Sequence, residues 1–274
     1  MKNILITGGT SGLGKALALH YLSEGEHVIV VGNSPEKGAQ FLLSAKQLNA
    51  EHRAKFIKAD LSLISENKRL IRQIEMELDK LDLLILSAAY QKQIKQIRLT
   101  TENNEFVFGL MYLSRYILSY GLTNLLTKSN NPTIVNVAAP GMKGMVNWQD
   151  LQFKNDYNSQ KVKFHTSRLN DLLGVGFSKK MKYILYNPWA VKSENALNAS
   201  NSRIANFFTK IVYGIIGKTP EDAMIPLIRE IENNDLIGLS AYKLDKRINL
   251  NAKEYDPDNA IRLRKITEKL VENY

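Results

Sequence analysis

Apolar runs of strand length alternate with stretches of helical periodicity along most of the chain. Six runs are typical of buried strands, and they lie at 2–7, 27–31, 55–59, 81–86, 133–137 and 183–186. Between them, apolar residues recur at helical spacing within 16–22, 41–48, 66–79, 102–128 and 160–180. This alternation predicts an α/β fold in which helices cover both faces of a doubly wound parallel sheet. We expect a single domain over residues 1–274.

A glycine-rich turn follows the first predicted strand. The segment from Thr7 to Gly14 (TGGTSGLG) separates that strand from the first predicted helix. Glycine permits a tight turn and a close approach of the backbone, so a pyrophosphate can rest on the helix N-terminus. The turn therefore predicts a Rossmann-type site for a dinucleotide cofactor, and a structural turn without a ligand is the alternative.

The amino-acid composition excludes several classes of site and partner. The chain contains no cysteine and four histidines, which excludes disulfides, iron–sulfur clusters and thiol nucleophiles and predicts no metal site. It carries 37 Lys+Arg against 27 Asp+Glu, but its basic clusters are short and lack interleaved aromatics, so we expect no nucleic-acid partner. No apolar run reaches about 18 residues, and the N-terminal run is too short for a secretory signal. We expect a cytoplasmic protein without a transmembrane segment.

The spacing Thr-Gly-x-x-x-Gly-x-Gly in the turn resembles that of the short-chain dehydrogenase/reductase superfamily. Further similar segments extend over nearly the whole chain, and the segment 218–223 (KTPEDA) resembles the retinol-dehydrogenase-like branch. The resemblance implies that Asp60 binds adenine and that the loop 187–193 closes over the nicotinamide. The residues that it implies for cofactor binding are Gly8, Thr10, Ser11, Gly12, Leu13, Gly14, Asn33, Asp60, Leu61, Ser87, Ala88, Arg168 and Pro188.

The same resemblance implies a substituted catalytic set. Family members use a tyrosine, a lysine four residues later, a serine and an asparagine. Aligning the segment SRLNDL with the branch's Ser-Lys-Leu-Ala-Asn-Leu puts Phe164 at the tyrosine and Arg168 at the lysine. The serine position falls on Ala138 or Ala139, and the asparagine position falls on Met111. Since phenylalanine cannot transfer a proton, acid–base help worth roughly 10²–10⁴-fold is lost there, whereas Arg168 can still hydrogen-bond ribose hydroxyls.

A second Tyr-x-x-x-Lys match, formed by Tyr157 and Lys161, competes with this register. The branch often carries an extra tyrosine just before this helix, so the first register is preferred and Tyr157 is assigned to a loop. Ordinary ketone–alcohol chemistry would then need a substitute acid. The candidates are His165, Tyr157 and Tyr112.

Two further segments bear on the cofactor and the substrate. The segment VGNS, which ends the second strand, has neither the acid that would bind the 2′-hydroxyl of NAD nor an arginine. Lys15 and Lys37 could meet a 2′-phosphate, so NADP(H) is preferred over NAD(H). The apolar segment 204–217 falls where the resemblance implies a variable flap over the substrate, at about 190–220. It predicts an apolar small-molecule substrate, and the alternatives are a dimer contact, shallow membrane association or burial under the flap's own helices. Because family members are often dimers or tetramers, we expect a homo-oligomer.

Three functions fit this combination of features. The preferred prediction is an atypical NAD(P)(H)-dependent oxidoreductase, of the tailoring or secondary-metabolism kind, that acts on a carbonyl, conjugated or imine substrate. A catalytically silent nucleotide-binding protein that serves as a sensor or partner subunit is the alternative, because a fold alone does not fix a function. A scaffold without nucleotide affinity is the third.

Overall fold

The computed structural model describes residues 1–177, 181–189, 191, 217–234 and 237–274. Eight strands form one sheet in the order β3-β2-β1-β4-β5-β6-β7-β8. The first seven run parallel, and β8 pairs antiparallel with β7. The strands are β1 Asn3–Thr7, β2 His27–Gly32, β3 Ala54–Lys58, β4 Leu83–Leu86, β5 Thr133–Val137, β6 Lys182–Asn187, β7 Leu239–Lys243 and β8 Lys246–Arg247. This confirms the predicted doubly wound α/β fold.

The described residues form nine α-helices and one π-helical turn, besides two 3-10 turns at Glu51–Arg53 and Lys253–Tyr255. In chain order, the helices and the π-helical turn are α1 Gly12–Ser23, α2 Pro35–Gln47, α3 Ile64–Glu77, α4 Phe106–Phe108, the π-helical turn Gly109–Leu113, α5 Ser114–Gly121, α6 Thr123–Leu126, α7 Ser159–Phe177, α8 Pro220–Glu232 and α9 Pro257–Glu272. Among these helices, none is both long and apolar enough to cross a membrane. The predicted flap at about 190–220 lies almost entirely outside the described residues.

Both faces of the sheet are buried, which explains why its strands are continuous apolar runs. Side chains at alternate positions point to opposite faces. Leu5 and Leu84 lie in an apolar layer that includes residues of α3, α5 and α7. Ile4 and Ile6 lie in a second layer with residues of α1, α2 and α8. The sheet is therefore packed between two helical layers, and a cleft lies along the carboxyl ends of its parallel strands.

The helix predicted over 102–128 is broken into shorter pieces. A Cβ at Gly109 would lie 2.6 Å from the carbonyl oxygen of Ser62, so only glycine allows this approach to the loop after β3. Directly after this contact the backbone widens into the π-helical turn, and the Met111 carbonyl in it accepts a hydrogen bond from Asn170 Nδ2 at 2.8 Å. Side-chain insertion into the backbone ladder and π-helical turns are both established causes of a break in a helix.

Two strands, β7 and β8, were missed by the sequence pattern. In β7, Ser240, Ala241 and Tyr242 are buried, whereas Leu239 is half-buried and Lys243 is exposed. β8 consists of two exposed basic residues and is joined to β7 through Leu244, which has a φ of 56°. Such short or charged strands carry too few apolar positions to be distinguished from a loop.

Candidate functional site

The glycine turn joins β1 directly to α1 and is packed against the end of β4. A Cβ at Gly8 would lie 2.7 Å from the backbone of Ala88, and one at Gly14 would lie 2.5 Å from the Gly8 carbonyl oxygen and 2.6 Å from Ser87 Oγ. The Ser11 side chain does not cap α1, and the first turn of α1 contains no acidic residue. The first N–H groups of α1 and the positive end of the helix dipole are therefore available to an anion.

A cleft of about 770 Å³ runs along the carboxyl ends of the parallel strands. This volume lies within the range of roughly 300–1,000 Å³ that is usual for small-molecule sites. All residues predicted to bind the cofactor line it, except Arg168. The lining residues of that set are Gly8, Thr10, Ser11, Gly12, Leu13, Gly14, Asn33, Asp60, Leu61, Ser87, Ala88 and Pro188.

One half of the cleft lies over β2 and β3. Asn33, Lys37 and Asp60 line it, and Lys15 does not. Asp60 accepts hydrogen bonds from the backbone N–H and the hydroxyl of Ser62 at 3.0 and 2.7 Å, which fixes its carboxylate at the end of β3. Among the described residues that line the cleft, Asp60 is the one carboxylate.

The other half lies over the ends of β4, β5 and β6. Ala138, Ala139, Met111 and Phe164 line this half, so all of the positions that the resemblance assigns to serine, asparagine and tyrosine meet the cleft. The Phe164 side chain is half exposed. None of these four side chains can transfer a proton or hold a carbonyl oxygen.

Arg168 lies outside the cleft. It is 4% exposed, pairs with Asp171 through Nη1, and donates from Nη2 to the Glu254 carbonyl oxygen at 2.7 Å. Asp171 also accepts a hydrogen bond from the Gly141 N–H at 3.2 Å. Burial raises the pKa of Asp171 to about 7, against the opposing effect of the Arg168 charge. Through this pair, Asp171 ties α7 to the loop after β5 and Arg168 ties it to the turn before α9.

Lys163 and Ser167, which precede Phe164 and Arg168 by one residue each, line the cleft as well. Lys163 Nζ donates to the carbonyl oxygens of Gln91 and Lys92 at 2.8 and 3.1 Å, and burial lowers the pKa of this ammonium group. Phe164 therefore meets the cleft as the alignment implies, whereas the Arg168 side chain is directed to Asp171 and Glu254.

The rival pair and the proposed substitute acids also lie outside the cleft. Lys161 forms an exposed ion pair with Asp156 at 2.8 Å, and Tyr157 packs with the apolar cluster around Phe106. Tyr112 is buried and its hydroxyl shares a hydrogen bond with Thr267 Oγ1 at 2.7 Å. His165 Nε2 accepts from the Asn147 N–H at 3.0 Å, and burial lowers the pKa of its imidazole to about 4.

Comparison with known proteins agrees with the resemblance. The family model described as short chain dehydrogenase matches residues 2–150. The chain belongs to the short chain dehydrogenase family. It is 30% identical to polyprenol dehydrogenase of Homo sapiens over 159 residues, which are 56% of this chain and 48% of that protein. It is 24% identical to retinol dehydrogenase 13 of Mus musculus over 253 residues, which are 85% of this chain and 73% of that protein.

The chain thus spans about half the length of the first of these short chain dehydrogenase relatives. A crystal structure of a short chain dehydrogenase from Burkholderia cenocepacia in complex with NADP has the same fold, with a TM-score of 0.67 and 15% sequence identity. That match covers 89% of this chain and 96% of the other.

Among the described residues that line this short chain dehydrogenase cleft, four titratable side chains were not predicted as site residues. They are Tyr90, Arg98, Arg115 and Lys163. Arg115 offers a sequence signal, since it is a single charged residue inside the apolar stretch 110–118 (LMYLSRYIL). A buried charge in such a stretch is rare without a function or a partner. The other three lie among polar or exposed residues and give no comparable signal.

Proposed function

We propose that the protein is an NADP(H)-dependent oxidoreductase that works without the family's tyrosine, serine and lysine. One observation carries the proposal: a glycine turn that only glycine can form opens an uncapped helix N-terminus onto a cleft at the carboxyl edge of the sheet. This is where doubly wound sheets bind dinucleotides. The crystal structure of the Burkholderia relative, which is in complex with NADP, supports the same assignment.

The residues of the cleft fit a dinucleotide of this kind. The N-terminus of α1 would hold the pyrophosphate, and Asp60 and Leu61 would hold the adenine. Asn33 and Lys37 would face the ribose that carries the 2′-phosphate of NADP, and the absence of an acid among the described residues at the end of β2 supports NADP(H) over NAD(H). Ser87, Ala88 and Pro188 would border the nicotinamide half. The bound cofactor supplies or accepts a hydride.

The proton of an ordinary carbonyl reduction must come from another group than Phe164. Two groups that can exchange a proton line the same half of the cleft, the ammonium group of Lys163 and the phenol of Tyr90. The lowered pKa of Lys163 makes its ammonium a better acid than a solvated lysine. A conjugated or imine acceptor would need no proton on oxygen during hydride transfer. The apolar lining by Met111, Phe106 and Phe164 supports a small substrate with an apolar body.

Calorimetric titration of the full chain with NADPH and NADH tests the cofactor assignment first. We expect tighter binding of NADPH. Gly14→Ala should abolish binding, because its Cβ would lie 2.5 Å from the Gly8 carbonyl oxygen. Gly176→Ala is the matched control, since the atoms nearest to a Cβ there lie 3.7 and 3.8 Å away. A panel of ketones, enones and imines then separates the oxidoreductase from the silent sensor, which would bind NADPH without turnover. Absence of any nucleotide binding by the wild-type chain refutes both.

A further inference from the structure

A buried guanidinium group lies in the cleft. Arg115 of α5 is 2% exposed and lines the half of the cleft over β4, β5 and β6. Its Nη1 donates to Asn136 Oδ1 at 2.7 Å, and its Nη2 donates to the Ala88 carbonyl oxygen at 3.3 Å. Its Nε has no hydrogen-bond partner among the described residues. Arg115 is therefore fixed at the ends of β4 and β5 by neutral groups.

None of the described carboxylates forms an ion pair with Arg115. Arg168, which is about as buried, is paired with Asp171. Burial lowers the pKa of Arg115 to about 10, so the group still carries its charge at neutral pH. A buried charge without a counter-charge is costly to maintain. Because no described carboxylate balances it and little water screens it, the charge of Arg115 acts on any charged group that enters the cleft.

The position of this charge relative to a bound dinucleotide follows from the sheet order. The pyrophosphate position at the N-terminus of α1 divides the cleft, with β2 and β3 on one side and β4, β5 and β6 on the other. Asp60 and Lys37 lie on the first side, which would take the adenosine. The second side would take the nicotinamide. Its charged lining residues, among those described, are Arg98, Arg115 and Lys163, all of them cations.

We propose that Arg115 makes the cleft distinguish the two redox states of the cofactor, so that the protein binds NADPH more tightly than NADP⁺. The inference rests on the proposed dinucleotide site and adds a selectivity to it. The two forms differ at the nicotinamide ring, which is neutral when reduced and positively charged when oxidised. Two unit charges about 10 Å apart at an effective dielectric constant of about 20 repel strongly enough to change an affinity about tenfold. This selectivity would suit a reductase or a sensor of the reduced cofactor.

The test is the ratio of the dissociation constants of NADP⁺ and NADPH, measured by calorimetry on the full chain at one pH and one salt concentration. We expect a ratio of about ten or more for the wild-type protein. Arg115→Met should lower the ratio several-fold, since it removes the buried one of the three cations, and Arg115→Lys should keep it high because the charge stays. Arg264→Met on α9 is the matched control, since it removes one exposed arginine charge outside the cleft.

A second variant gives an answer if Arg115→Met does not fold. Asn136→Asp has nearly the same shape and places a carboxylate 2.7 Å from the guanidinium. The hydroxyl of Tyr183 can donate to the new oxygen, and the Asn170 amide must turn over to do the same, because its Oδ1 accepts from Asn136 Nδ2 at 2.8 Å in the wild type. Neutralising Arg115 in this way should also lower the ratio. Equal affinity of the wild-type protein for both forms would overturn the proposal, as would a high ratio that persists in Arg115→Met and Asn136→Asp. Absence of any nucleotide binding would instead refute the dinucleotide site.

Discussion

The buried pair of Arg168 and Asp171 gives the sharpest test of how the site is built. Their side chains are 5% and 0% exposed, and Arg168 also holds the Glu254 carbonyl oxygen. Arg168→Met leaves Asp171 buried without its partner, and breaking a buried pair in this way costs about 3–5 kcal/mol. We expect that loss in the free energy of unfolding, measured by urea denaturation followed by circular dichroism. NADPH affinity should not change, because Arg168 lies outside the cleft.

The double variant Arg168→Met/Asp171→Leu provides the control. Replacing both partners with apolar residues leaves no unpaired charge, so most of the lost stability should return. The remaining deficit should be about 1 kcal/mol, because the Gly141 N–H and the Glu254 carbonyl oxygen lose their hydrogen-bond partners. Arg168→Lys should fall between the wild type and Arg168→Met, since one ammonium group cannot reproduce both contacts of the guanidinium.

The pH dependence of the Arg168→Met penalty follows from Asp171. Burial raises the pKa of this carboxyl to about 7 in the wild type, and loss of the Arg168 charge removes the effect that opposes burial, so the pKa rises further. An acid whose pKa is raised on folding stabilises the protein while it is protonated, and this contribution is lost as the pH rises through the folded-state value. The penalty should therefore be larger at pH 8 than at pH 5.

The opposite outcome would support the register implied by the family alignment. If Arg168→Met weakened NADPH binding about tenfold while the urea midpoint stayed at the wild-type value, the arginine would act on the cofactor and not on the fold. The structural role assigned to Arg168 would then be wrong. Equal instability of the single and double variants would likewise contradict the ion-pair explanation.

Three further predictions concern single side chains. Lys37→Met should weaken NADPH binding about tenfold and leave NADH binding unchanged; calorimetry with both cofactors measures this, and equal losses would refute a contact with the 2′-phosphate. Phe164→Tyr places a phenol in the cleft and should raise ketone reduction about tenfold or more, with an unchanged melting temperature; no gain in a variant that still binds NADPH counts against this position as the proton donor. Because the pKa of buried His165 is lowered to about 4, its contribution to stability is present above its unfolded pKa of about 6.5 and is lost as the pH falls. The free energy of unfolding should drop by about 2 kcal/mol between pH 7.5 and pH 5, and His165→Gln should reduce that drop.

The sheet and the glycine turn could be predicted because their signals are local. A strand buried on both faces must be an apolar run, and a turn in which a Cβ at Gly8 or Gly14 would collide with the backbone must be glycine. The π-helical turn at Gly109–Leu113 could not be predicted in this way. It depends on Asn170, a residue of α7 that reaches Met111 across 59 positions of sequence.

The direction of the α7 side chains depends on contacts between distant parts of the chain. The motif spacing puts Arg168 at the family's lysine position, but the motif does not contain Glu254, which lies 86 positions later and accepts a hydrogen bond from the guanidinium. Asp171 is close in sequence, yet acid–base pairs at this spacing also form on solvated helix surfaces. Only the packing of α7 against the turn before α9 decides between them.

Because Arg168 lies outside the cleft, any positive charge beside the nicotinamide half must come from other residues. In the family the lysine four residues after the tyrosine lowers the pKa of that tyrosine and holds the nicotinamide ribose, whereas here the residue at that position is neutralised by Asp171 outside the cleft. Positive charge is nevertheless retained beside the same end of the sheet by Lys163 and Arg115, which enter from α7 and α5. These two charges differ in kind. Lys163 is partly solvated and can exchange a proton, whereas Arg115 is fixed and stays charged. Under the proposed function, Lys163 would exchange the proton and Arg115 would supply the fixed positive charge, so the two roles would fall to residues of different helices.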